Sequence, residues 1–267
     1  MFSDEYFDTP SVRENKRVPV MRIIAKLDEL EGKRDIEGAE RHLKYWLAEA
    51  ESAGDEKGQF AICSEIMGFY RKAGKRDKAV EAAERTLSLG RKLNLEGSEA
   101  FGTALLNAAT VYKAFGENAH AQELFDGAVK TLEEKLDGSA SKMGGLYNNM
   151  ALNLTDLNRF DEAERAYKKA IEIMAKNKWG ELECAISYLN LANLYEKRDG
   201  LEDADEAINE CLKKAQELLE TPSLPRDGYY AFVCEKCAPT FAYYGAFYYA
   251  EQLEKTADEI YERNRNR

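Results

Sequence analysis

Four apolar runs along the chain end in the same way. Those closing at Tyr70, Tyr112, Leu154 and Tyr195 are each followed by a Gly or Asn turn signal and then by a small residue, Ala79, Ala121, Ala163 and Ala204. Long apolar runs with no alternation of β-branched residues predict helices, and the turn signals predict where one helix gives way to the next. Of the 5 prolines, Pro10, Pro19, Pro222 and Pro225 fall in the N-terminal segment or in a loop-like stretch, so uninterrupted helices are expected over most of the rest.

The four segments are versions of one unit: "GFYRKAGKRDKAVEAAERTL" from Gly68, "TVYKAFGENAHAQELFDGAV" from Thr110, "LNLTDLNRFDEAERAYKKAI" from Leu152 and "NLYEKRDGLEDADEAINECL" from Asn193. Their alanines recur at a period of about 42 residues. Ala39 extends the series backwards and Ala250 forwards, which gives six units. Each unit reads as an antiparallel helix pair. Helix A carries bulky apolar residues, and helix B presents an alanine where the two must pack closely. One pair cannot bury its own apolar face, so the units are expected to stack. The expected fold is an all-α solenoid, residues 20–267 forming a single domain after an N-terminal tail of residues 1–19.

These residues resemble the tetratricopeptide repeat, in the long-period form found in kinesin light chains. "LEEKLDGSASKMGGLYNNMALNLTDLNRFDEAERAYKKAIEIM" carries most of the likeness, which covers residues 20–264. The resemblance implies a right-handed superhelix of about six stacked helix pairs, with the A helices lining a concave groove that holds an extended peptide or a helix. Two departures fall in the terminal units, which are commonly atypical. Leu30 stands where an aromatic precedes the turn, and Pro239 lies inside the last A helix.

"GLYNNMALNL", from Gly145, places three asparagines inside a helix, where their amides compete for backbone groups and lower helix propensity. Aligned on the repeat, Asn149 shares its place with Asn107 and Asn190, while the second unit has Glu65 there. The resemblance implies that an asparagine at this place points into the groove and contacts a peptide backbone, since an amide both donates and accepts. The alternative is that these amides tie adjacent helices together. Asn148, Asn153 and Asn193 are neighbours on the same surface. Further candidates for the groove are Gly68, Arg71, Lys72, Thr110, Lys113, Asp156, Glu196 and Lys197, with basic residues gathered in the earlier units. Chaperone-tail-binding members use lysines one place before the asparagines. This chain has Ser64, Leu106, Asn148, Leu189 and Glu235 there, so that clamp is incomplete.

Charge narrows the partners. A net charge of −11 and a pI near 5.0 disfavour nucleic acid. No apolar stretch is long enough for a bilayer, and a cytoplasmic protein is expected. The 5 cysteines share no regular spacing, so reduced thiols are expected. Cys234 and Cys237 form a CxxC without a second pair or a strand–helix setting, which reads as two packed side chains on one helix face. Tyr229, Tyr230, Phe232, Phe241, Tyr243, Tyr244, Phe247, Tyr248 and Tyr249 crowd the last unit. Most are expected in the terminal core, and the remainder in a patch for a ligand or a second copy of the chain. No catalytic set, phosphate loop or metal motif is present, and no cofactor or metal is expected. The reading is a non-catalytic scaffold that binds a peptide or protein segment. The alternative is a sensor of a small molecule or signalling peptide that acts through a partner.

Overall fold

The computed structural model describes residues 17–137 and 140–265. Residues 1–16 of the expected tail lie outside the described residues. Among the described residues there are twelve helices and no strands. They fall into two compact units, one ending at Glu96 and the other beginning at Gly97.

The first unit contains α1 (Val20–Gly32), α2 (Ile36–Ser52), α3 (Glu56–Lys72) and α4 (Arg76–Lys92). The second contains α5 (Glu99–Ala114), α6 (Asn118–Glu133), α7 (Ser141–Asp156), α8 (Phe160–Met174), α9 (Glu181–Asp199), α10 (Asp205–Leu219), α11 (Gly228–Tyr243) and α12 (Phe247–Arg265). Consecutive helices pair, and within the second unit each of α7 and α9 also packs on the helix before it.

The turns inside the pairs have one design. A residue in the left-handed region ends helix A: Arg34, Gly74, Gly116, Asn158 or Gly245, with φ between 57° and 86°. The next N–H then reaches back to a carbonyl, as Lys75 N–H does to Tyr70 O, Arg159 N–H to Leu154 O and Ala246 N–H to Phe241 O, each at 2.9 Å. This satisfies a carbonyl that the helix end leaves without a partner. Gly and Asn recur there because a positive φ costs them least. In the fifth pair α9 runs on to Asp199 before Gly200 (φ 88°), and Ala204 sits just ahead of α10 rather than within it.

Four helix starts carry side-chain caps. Asp35 accepts from Gly38 N–H, Asp55 from Gly58 N–H, Ser98 from Phe101 N–H, and Asp227 from Tyr229 and Tyr230 N–H.

All six repeat alanines are buried, from 0% exposed at Ala39, Ala79, Ala121 and Ala163 to 4% at Ala250. A methyl group is the largest side chain that lets helix B lie directly on helix A there. The marker tyrosines make a second recurring contact. Tyr70 OH donates to Glu40 on α2 at 2.9 Å, and Tyr195 OH donates to Glu164 on α8 at 3.1 Å. Each glutamate directly follows the repeat alanine of the preceding pair, so the bond ties one pair to the next.

Helix α12 is the last of the described helices. Its buried residues, Ala250, Leu253, Ala257 and Ile260, lie along one face, whereas α8 buries Ala163, Ala166, Tyr167, Ala170, Ile173 and Met174 across a broader one. Much of the rest of α12 is charged, but Phe247 and Tyr248 in its first turn are exposed.

Of the nine aromatics crowded into the last pair, only Tyr230 and Phe241 are buried, contrary to the expectation that most would fill the core. Helix α12 offers too narrow an apolar face to cover more. Cys234 and Cys237 are buried on α11, where burial pushes their thiols up to about 11 and about 12. They therefore lack the thiolate that CxxC redox chemistry needs. No helix among the described residues is long and apolar enough to cross a membrane.

In the first unit, Glu65 stands on α3 at the place that carries asparagine in α5, α7 and α9. Burial first, and the Asp28 carboxylate second, hold its carboxyl above the ordinary value, while Lys72 pulls the other way. A carboxyl raised in the folded state favours folding below its unfolded pKa, and that contribution is lost as pH rises through the folded value. At neutral pH the ionised Glu65 is therefore a cost.

Two expectations follow from these contacts. Ala163→Leu should lower the free energy of unfolding by about 1–3 kcal/mol through overpacking, read from urea melts. Glu65→Gln should raise the melting temperature at about pH 7, with the gain shrinking as pH falls towards about 4, the ordinary glutamate value. A gain independent of pH would mean that charge is not its source.

Candidate functional site

In the second unit the A helices α5, α7, α9 and α11 present successive stripes on one side. On α7 the residues at helical spacing are Lys142, Gly145, Asn149, Leu152 and Asp156. On α9 they are Glu183, Asn190, Asn193 and Lys197. Bonds between neighbouring helices join these stripes into one surface. Lys142 Nζ donates to Glu99 and Thr103 of α5, at 2.5 and 3.2 Å.

The asparagines separate into distinct roles. Asn148 is 8% exposed, and its Oδ1 accepts from Ser187 Oγ and from Asn190 Nδ2, both at 3.1 Å. It is the acceptor that ties α7 to α9. Asn190 thus bonds to Asn148 and not to its repeat equivalent, Asn149. Asn153 is fully buried and donates to Asn118 O and Gln122 Oε1 of α6, both at 3.0 Å. Asn193 is exposed and accepts from Tyr244 OH at 3.0 Å. Asn107 is half-buried and engaged within the fold. Asn149 is also half-buried, but its amide makes no hydrogen bond among the described residues.

The basic candidates are largely committed to the protein itself. Lys113 pairs with Asp156 at 3.0 Å, and Lys197 donates to Thr155 O at 2.9 Å beside the same aspartate. Asp156 therefore stands between cations from the helix before and the helix after. In the first unit Lys72 pairs with Glu31 at 2.7 Å. Arg71, on the same helix, is half-buried, its Nε has no hydrogen bond among the described residues, and burial draws its pKa down.

Helix α11 adds a part of the surface that residue type alone does not disclose. Tyr229, Phe232, Lys236, Pro239 and Tyr243 recur at helical spacing on the side continuous with the asparagine stripes. Tyr229 is 47% exposed, Phe232 49% and Tyr243 67%. The Tyr229 and Phe232 rings stack with centroids 6.1 Å apart. Tyrosine hydroxyls anchor this helix to α9, Tyr229 on Glu183 and Tyr243 on Glu196, and so aim the ring faces outward. The spacing was available in the sequence. Which side of α11 stays open depends on its contact with α9.

This surface holds one open amide, Asn149, among engaged ones, with neutralised ion pairs at Asp156 and exposed rings on α11. It can pair with a peptide backbone and bury apolar side chains.

The family model for the tetratricopeptide repeat matches residues 142–217, which run from α7 to α10, and that for anaphase-promoting complex subunit 5 matches residues 77–143. No curated protein matches the sequence. Among solved structures, the kinesin light chain TPR-like repeats of Podosopora anserina superpose with a TM-score of 0.54 at 17% identity, over 77% of this chain and 95% of that one. BtubC (BKLC) of P. vanneervenii superposes with a TM-score of 0.50 at 20% identity, over 94% of both chains. NprR in complex with its cognate peptide NprX gives 0.61 at 13% identity, over 92% of this chain and 69% of that one. At these identities the likeness is one of fold. Residues 142–217 thus match the tetratricopeptide repeat by sequence, and the paired helices and recurring left-handed turns give the chain the fold of the solved repeat proteins.

Proposed function

We propose that the protein is a non-catalytic, cytoplasmic scaffold that holds an extended peptide or protein segment against the A-helix face of α5, α7, α9 and α11. Asn149 carries this reading. Its half-buried amide makes no hydrogen bond among the described residues, whereas Asn148, Asn153, Asn190 and Asn193 on the same helices are all engaged. A half-buried amide in this state is available to a ligand that supplies a donor and an acceptor, and an extended backbone supplies both.

The exposed rings of α11 support the same reading. Tyr229, Phe232 and Tyr243 offer apolar contact next to the amides, and little side-chain entropy is lost on binding because the hydroxyls of Tyr229 and Tyr243 are already fixed. Further support comes from NprR, a protein of similar fold that has been solved with a cognate peptide. The pairing of Lys113, Lys197 and Lys72 with the protein's own carboxylates leaves backbone recognition and apolar contact as the main sources of affinity.

Neighbouring asparagines should respond differently to substitution. Asn149→Ala should weaken a partner recovered by affinity capture about tenfold, roughly 1.4 kcal/mol, and leave the melting temperature unchanged. Asn148→Ala should lower stability by about 1–3 kcal/mol, because Ser187 and Asn190 lose their buried acceptor. Binding by Asn149→Ala at wild-type affinity, measured calorimetrically, would sink the reading. Phe232→Ala is expected to weaken the same partner without altering the fold.

A further inference from the structure

The opposite side of α7 carries a second concavity. Its floor is Met150 and Leu154 of α7 with Ala166 of α8, and it is an open groove of about 370 Å³. Met150 and Leu154 point away from Asn149 around the helix, so this cleft is distinct from the A-helix face. A groove of this size has room for one small molecule lying along its floor.

The two walls differ in charge. On the α6 wall Gln122, only 6% exposed, receives a hydrogen bond from buried Asn153 and donates its own Nε2 to Asp126 Oδ1 at 2.8 Å. Asp126 is thereby held in place by a relay of amides that begins in the core. On the α8 wall Arg159 is bound by two hydrogen bonds to Glu162, both 2.7 Å, which cancels that charge. Arg165 and Lys169, one turn apart, make no hydrogen bond or ion pair among the described residues. Their fields reach Glu162 and Glu172 only through space.

The surrounding charges do not offset this pair. The protein carries a net charge of −11, and many of its exposed cations are paired along their own helices, as Lys168 with Glu164, Lys176 with Glu172 and Lys214 with Glu210. Two open cations beside an apolar floor, set against one anchored carboxylate, leave the cleft with a surplus of one positive charge. A ligand bearing one negative charge would neutralise it.

We propose that this cleft binds a small amphipathic anion, with its apolar body on Met150, Leu154 and Ala166 and its carboxylate or sulfonate between Arg165 and Lys169. The floor supplies the hydrophobic contribution, and the two side chains supply charge-assisted hydrogen bonds. The relay through Asn153 and Gln122 keeps Asp126 on the far wall, which sets the direction in which the anion must point. This site is independent of the peptide-binding reading, because it lies on the other side of α7.

The chain has 6 methionines, and Met150 is the one that lines the cleft, so methyl NMR can report on it directly. With ¹³C-methyl-methionine protein titrated with 2-naphthoate, the Met150 signal should shift saturably while those of buried Met67 and Met143 stay in place. The exposed double variant Arg165→Ala/Lys169→Ala should weaken binding about tenfold or more, the size expected for losing a charge-assisted contact. Neutral 2-naphthalenemethanol should bind more weakly than the naphthoate. An unmoved Met150 signal would overturn the proposal. Equal affinity of the double variant, or equal affinity for the neutral analogue, would overturn the charge assignment on which it rests.

Discussion

Close contact at a single methyl group is the constraint on which the helix pairs depend. Ala39, Ala79, Ala121 and Ala163 have no exposed surface, and Ala204 and Ala250 have almost none. Any larger side chain there would separate helix B from helix A. The marker residue would then move off the turn whose backbone hydrogen bond it accepts, as Tyr70, Tyr112 and Leu154 do. Tyr70 accepts this bond through its carbonyl and also carries the hydroxyl that reaches the preceding pair. Pair geometry and stacking geometry are thus set by the same few residues.

Polar groups take over where apolar packing ends. Across the A helices of the second unit, Asn148 joins α7 to α9, and Asp156 stands between Lys113 and Lys197. On the other side of α7, Asn153 and Gln122 join it to α6. The asparagines of "GLYNNMALNL" offset their low helix propensity in this way: Asn148 and Asn153 fasten α7 to neighbours on two sides. Only Asn149 is left with an open amide. Three residues of one type, within six positions of one helix, therefore have three different environments, because successive residues on a helix point in different directions.

Exposed rings on α11 follow from the same economy of surface. Helix α12 offers one narrow apolar face; Tyr244 and Tyr249 pack partly against the core, while Tyr229, Phe232 and Tyr243 of α11 stay exposed. Those with a hydroxyl near α9 are fastened to Glu183 and Glu196, and the ring faces remain open.

The sequence by itself determined the repeat. Its period, the small residue in each B helix and the Gly or Asn at the turns are local requirements, and local requirements leave a direct trace in residue type. It also marked Asn107, Asn149 and Asn190 as equivalent positions, and Cys234 and Cys237 as packed side chains. Tertiary structure decided the hydrogen-bond partners. Asn190 bonds across to Asn148, one residue from the position that the repeat pairs it with, because a small offset between stacked helices changes which amide lies opposite. Which cations are neutralised, which aromatics stay exposed and where a cleft opens behind α7 likewise depend on residues about a whole repeat apart. Such distances are set by the packing of helices against one another, and no spacing along the chain encodes them.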